Sequence, residues 1–110
     1  MAEFIRGDVV VVPFPFSDLT DSKRRPALVL TGLMGNDCIL CQITSQPIKD
    51  NYSIGLDDSD FEKGSLRQKS NIRPNRIFTC DEGIILYRVG NIRAQKMESI
   101  IRKVIEIIKS

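Results

Sequence analysis

Guanidinium and hydroxyl groups gather at three places in this chain. "SKRRPALVL" (residues 22–30) sets Lys23, Arg24 and Arg25 directly before a proline and an apolar run. "CQITSQ" carries Thr44 and Ser45, and "KSNIRPNR" carries Lys69, Ser70, Arg73 and Arg76 with no acid among them. These groups suit phosphate: arginine can grip it with two parallel hydrogen bonds, and a hydroxyl adds a third. Each also has a plainer reading. Arg24 would be solvated loop charge, Thr44 a β-branched strand residue, and Arg73 a partner for the acidic turn "DDSDFE".

Other chemistries are poorly supplied. The chain has no histidine, which removes Ser–His and Cys–His nucleophile pairs. It has no glycine-rich phosphate loop of the P-loop or dinucleotide type. Cys38 and Cys41 have C-x-x-C spacing, but they lie in the strand-like "DCILCQIT". Residues three apart on a strand point to opposite faces and do not converge on one ion. They read as small core residues of a reduced protein. Asp57, Asp58, Asp60 and Glu62 lack the ligand alternation of a calcium loop and read as a solvated face. No metal or other cofactor is expected.

The elements that must position the basic groups follow from pattern. With 110 residues, 42% of them hydrophobic, one domain over 1–110 with one core is expected. The formal charge of +2 is too small to argue nucleic-acid binding by itself. "GDVVVVPFPF", "RPALVLT", "CILCQIT", a short "SIGL", "RIFTC" and "GIILYRVGNI" read as strands. Residues 17–24 read as an exposed loop. Met97, Ile100, Ile101, Val104, Ile105 and Ile108 then form the apolar stripe of a helix over about 94–109. Five or six short strands followed by one helix predict a mainly β fold, a small antiparallel barrel partly covered by a C-terminal helix. No apolar run approaches the roughly 20 residues needed to span a bilayer, and no secretory leader is visible, so a cytoplasmic protein without a membrane partner is expected.

In this order and spacing, "RGDVVVVPFPF", "RRPALVL", "QITS", "SNIRPNRIFT" and the closing "VGNI" plus helix resemble the MazF/PemK family of toxin endoribonucleases from type II toxin–antitoxin systems. The match covers nearly the whole chain. It implies an SH3-like barrel of the CcdB/MazF type, a homodimer, and metal-independent cleavage of single-stranded RNA, often mRNA. It also implies a cognate antitoxin that blocks the RNA groove. The arginine before the proline, here Arg25, and the threonine of the I-T motif, here Thr44, would be catalytic. Ser70 and Arg73 match the S-x-x-R segment and would bind RNA or support the site. The loop "SDLTDSKR" replaces the glycine- and glutamate-containing loop of many members, so no cleavage sequence is implied.

A mechanism in which RNA supplies its own 2′-OH nucleophile fits a chain without histidine. It would leave a 2′,3′-cyclic phosphate and a 5′-OH, and the protein need only position and stabilise charge. Arg24, Ser45, Lys69, Ser70, Arg73 and Arg76 are the expected RNA-binding residues. Phe14 and Phe16 are candidates for base stacking or for packing. Two other functions stay open: DNA gyrase inhibition of the CcdB type, and binding of nucleic acid or protein without catalysis. The first needs a tryptophan-containing C-terminus, whereas this chain has no Trp and ends "EIIKS".

Overall fold

The computed structural model describes residues 3–14 and 23–110. β1 (Asp8–Phe14), β2 (Lys23–Gly32) and β3 (Asp37–Thr44) form an antiparallel meander. β4 (Ile54–Leu56), β5 (Phe61–Gly64), β6 (Ser70–Asp81) and β7 (Tyr87–Ile92) follow, and α1 (Ala94–Lys109) ends the chain. All seven strands join one antiparallel sheet in the order β4-β6-β3-β2-β1-β7-β5.

Chain connectivity forces this sheet to curl. β4 and β5 are its opposite edges, yet only residues 57–60 separate them. Five Cα steps reach at most about 18 Å. In a flat sheet the outer two of seven strands would lie about 29 Å apart. The edges can be joined only if the sheet rolls toward a barrel. The expected mainly β fold with a C-terminal helix is what the chain adopts.

Both faces of the central strands are buried, and strand alternation sorts their side chains. Val9, Leu28, Leu30, Cys41, Ile43 and Ile72 point inward, where Met97 and Ile100 of α1 close the core. Val10, Val12, Ala27, Val29, Cys38 and Leu40 point to the other face, covered by Phe4 and Ile85. Cys38 and Cys41 therefore lie in different clusters, as their spacing predicts. All three cysteines are free and buried.

Three expectations of element extent are corrected. "FEKG" forms β5, an edge strand with one buried residue. The strand expected at "RIFTC" begins six residues earlier, at Ser70. It passes through Pro74 by way of an irregularity, since Gln42 pairs with Arg73 while Cys41 pairs with Ile77. Residues 82–84 form a 3₁₀ turn, so the last strand starts only at Tyr87. Among the described residues, no helix is long and apolar enough to cross a membrane.

Only the first half of the helix stripe is covered. Met97 and Ile100 are buried, whereas Ile105 and Ile108 are 48% and 71% exposed. The helix start has no side-chain cap. Arg93 instead donates its Nε–H to Ser59 O at 3.1 Å and pairs with Glu62 at 3.0 Å, tying the helix to the 3₁₀ turn Asp58–Asp60.

Candidate functional site

Sheet register brings distant basic residues onto one face. Ala27 pairs with Gln42, and Gln42 with Arg73, so three strands contribute to one row. One pleat further along lie Arg25 beside Val12 on β1, and Thr44 beside Asn71 on β6. Because side chains two apart share a face, Arg25, Gln42, Thr44 and Arg73 all project to the same side. They line a cavity of about 280 Å³ whose floor includes Val12, Ala27 and Phe78. No acid lines it.

The hydroxyl of Thr44 is partly committed. Its Oγ1 accepts the Gln46 N–H at 3.1 Å. A hydroxyl has one proton to donate and two lone pairs. The turn uses a lone pair, and the proton stays available to a ligand. Arg73 is half-buried and pairs with Asp50 at 3.2 Å. The acidic turn at 57–62, its expected partner, instead engages Arg93 and Lys96, through Glu62 and Asp60. Among the described residues, Arg73 Nε is buried without a hydrogen-bond partner.

Asp50 is held in turn. It accepts the N–H groups of Tyr52 and Ser53 at 3.0 and 3.1 Å. The Tyr52 N–H foremost, then Ser53 and the Arg73 guanidinium, hold its carboxyl below the ordinary carboxylate range, outweighing the opposing effect of partial desolvation. Burial pushes the Cys41 thiol up to about 12. It pushes Cys80 up to about 11, with smaller contributions from Cys38, Asp81 and Asp37.

The structure divides the expected site residues. Arg25, Thr44 and Arg73 converge on the cavity. Ser45, Lys69 and Ser70 line a second recess of about 610 Å³, together with Asp57, Asp60 and Lys96. On β6, Ser70 lies an odd number of residues from Arg73 and faces the other way, whereas Ser45 follows the end of β3. Asn71 lies at the boundary and donates its side-chain N–H to Gln46 O at 3.2 Å. Arg76 is exposed beside Gln42 in a shallow recess next to the cavity. Arg24 is exposed on β2 and lines none of these cavities. Phe16 and the loop residues 17–22 lie outside the described residues, as does the Phe14 side chain.

Sequence reasoning missed Gln42 and Asp50. Gln42 sits two residues before Thr44 in "QIT", and a two-residue count along the strand finds it. Asp50 lies in a connection, and no sequence spacing points from it to Arg73.

Another cavity, about 920 Å³, lies elsewhere, between α1 and the β7 end, and includes Met97, Ile101 and Ile105. It is an open groove along the helix and shares no lining residue with the arginine cluster.

A curled seven-stranded sheet with a C-terminal helix and a cationic, hydroxyl-bearing cavity at the strand ends defines a small β-barrel protein equipped for anions. Residues 5–108 match the family model described as "PemK-like, MazF-like toxin of type II toxin-antitoxin system", and the chain belongs to that family. The fold resembles MazE–MazF (form III) from Deinococcus radiodurans, with TM-score 0.77, 16% identity, and 96% of each chain covered. It also resembles an endoribonuclease in complex with its cognate antitoxin from a mycobacterial species, with TM-score 0.76, 13% identity, and 96% and 95% covered. Mycobacterium tuberculosis toxin MazF-mt6 gives TM-score 0.71 at 14% identity, covering 93% of this chain and 96% of that one. At these identities the likeness establishes the fold alone. No curated protein has a significant sequence match to the chain. Neither this family description nor the names of these neighbours mention gyrase inhibition or DNA binding.

Proposed function

We propose that this chain is a metal-independent endoribonuclease toxin that cleaves single-stranded RNA, mRNA included. The observation that carries the reading is the convergence of Arg25, Arg73 and Thr44 on one cavity that no acid lines among the described residues. Such a cavity has the charge and donors for one phosphodiester and, among the described residues, no carboxylate or imidazole to serve as a general base. That combination favours a substrate that brings its own nucleophile. The endoribonuclease names of the structural neighbours point the same way.

In the proposed reaction the 2′-oxygen attacks the adjacent phosphorus and the P–O5′ bond breaks. The products are a 2′,3′-cyclic phosphate and a 5′-OH. The proton lost from the 2′-oxygen balances the one gained by O5′. Arg25 stabilises the charge growing on the phosphorane. Its delocalised guanidinium acts as a fixed cation and a donor, not as a base. Thr44 donates its free proton to a non-bridging oxygen, and Arg73 grips the same phosphate. Ser45, Lys69 and Ser70 in the second recess would take the phosphate of one flanking nucleotide. Arg76 would take the other, and Arg24 would add attraction at longer range.

Partners follow from the same reading: single-stranded RNA, a cognate antitoxin, and a second copy of the chain in the cytoplasm. The uncovered Ile105 and Ile108 favour homodimerisation. Arg25→Ala is expected to lower cleavage of single-stranded RNA by about 10²- to 10³-fold, the effect of removing a transition-state donor. Its thermal unfolding should match wild type and EDTA should not slow the parent protein. Full activity in Arg25→Ala would refute the assignment, and RNA binding without products would favour a non-catalytic module.

A further inference from the structure

Arg73 lines the phosphate cavity, but what holds its guanidinium lies outside that cavity. Its Nη2 donates to Asp50 Oδ2 at 3.2 Å, and the two side chains are 17% and 28% exposed. Asp50 is in the connection between β3 and β4. Its other oxygen, Oδ1, accepts the Tyr52 and Ser53 N–H groups. The loop backbone thus fixes one carboxylate oxygen, and the other is left aimed at Arg73. Asx turns of this kind fold locally. The carboxylate can be set before any ligand arrives.

The Arg73 side that Asp50 does not reach is incomplete. Nε–H is buried in the half-buried side chain without an acceptor among the described residues. A buried donor on a cation is costly to leave unpaired. Among the described residues, the polar neighbours of Arg73 around the cavity are Arg25, Gln42 and Thr44, with no carboxylate. A phosphate oxygen is the acceptor chemistry that this arrangement lacks.

We propose that Asp50 is a positioning residue of the RNA site, holding the Arg73 guanidinium from outside so that its remaining donors meet the scissile phosphate. The inference rests on the reading of the cavity as a phosphodiester site and adds a residue to it. Asp50 does not touch RNA. It acts through Arg73.

One substitution separates this role from loop folding. In Asp50→Asn the amide oxygen can replace Oδ1 and keep the Tyr52 and Ser53 bonds. The amide nitrogen then faces Arg73 Nη2, donor against donor. Asp50→Ala loses both contacts. With a long single-stranded RNA transcript as substrate, both variants are expected to lower kcat/KM by about tenfold or more, as loss of a hydrogen bond to a charged group does. In an Arg73→Ala background, Asp50→Asn should add less than about twofold, because the group it positions is gone. A wild-type rate in Asp50→Asn beside a slow Asp50→Ala would assign Asp50 to the loop and overturn the proposal. So would an undiminished effect of Asp50→Asn in the Arg73→Ala background.

A second readout needs no RNA. The Arg73 Nε–H resonance should be narrow in the wild-type protein and broadened or shifted in Asp50→Asn. An unchanged resonance overturns the proposal whatever the enzyme does. An altered resonance together with wild-type cleavage by Arg73→Ala would leave the contact standing, and would overturn the RNA-site reading and with it the role assigned to Asp50.

Discussion

Replacing Thr44 by valine removes one hydroxyl and almost nothing else. Valine keeps the β-branch that suits the end of β3. The loss to the fold is the Gln46 N–H bond to Oγ1, at an exposed turn where water can replace the acceptor. That costs about 0.5 kcal/mol, the low end for a neutral hydrogen bond. The loss to the reaction is larger. The free hydroxyl proton would meet a charged phosphate oxygen, a bond of roughly 1.5–3 kcal/mol. At 1.36 kcal/mol per decade of rate, this predicts a fall of roughly 10- to 150-fold. Serine restores the hydroxyl and should stay within about threefold of wild type. Single-turnover cleavage of an end-labelled single-stranded RNA, paired with thermal melts, measures both quantities. A Thr44→Val rate within threefold of wild type would refute the assigned role. So would a serine variant as slow as the valine one, which would make the γ-methyl the important group.

Two further outcomes concern the fold that holds the cavity. Gly64 has φ +81°, and a Cβ there would lie 2.1 Å from Val89 O. Gly64→Ala should cost at least about 2–3 kcal/mol and lower Tm by about 10 °C or more. Gly35 has a similar φ of +77° but open space around it, so Gly35→Ala should lose only about 1 kcal/mol. Equal melting points for the two variants would contradict the close approach of β5 and β7. The buried thiols predict a pH dependence of stability. Unfolded cysteine ionises near about 8.5, whereas Cys80 and Cys41 are raised to about 11 and about 12. Their stabilisation is fully present below about pH 8.5 and is lost as pH rises through those folded values. The urea midpoint should fall from pH 8 to pH 10, and less steeply in Cys41→Ala.

Most of the architecture was legible because long apolar runs dominate it. Val9–Val12, Ala27–Leu30 and the stripe on α1 each announce their element by composition and period. β5 was not, because "FEKG" contains one buried side chain and takes its strand geometry from pairing with β7. The first part of β6 was masked by charge and by Pro74, a residue that argues against a central strand unless a bulge admits it. The candidate site divides in the same way. Arg25 and Thr44 stand in short recognisable motifs. That Arg73 joins them, while Ser70 turns away, depends on register and face. The Asp50–Arg73 pair spans 23 positions and is set by a loop turn. No periodicity records such a contact.

The central claim is that RNA provides its own nucleophile. The most direct measurement is the chemistry of the cut ends, made on RNA treated with the purified chain in excess EDTA. The account predicts a 2′,3′-cyclic phosphate on one side of each cut and a 5′-OH on the other. Ends bearing 5′-phosphate and 3′-OH, or cleavage that EDTA abolishes, would contradict it.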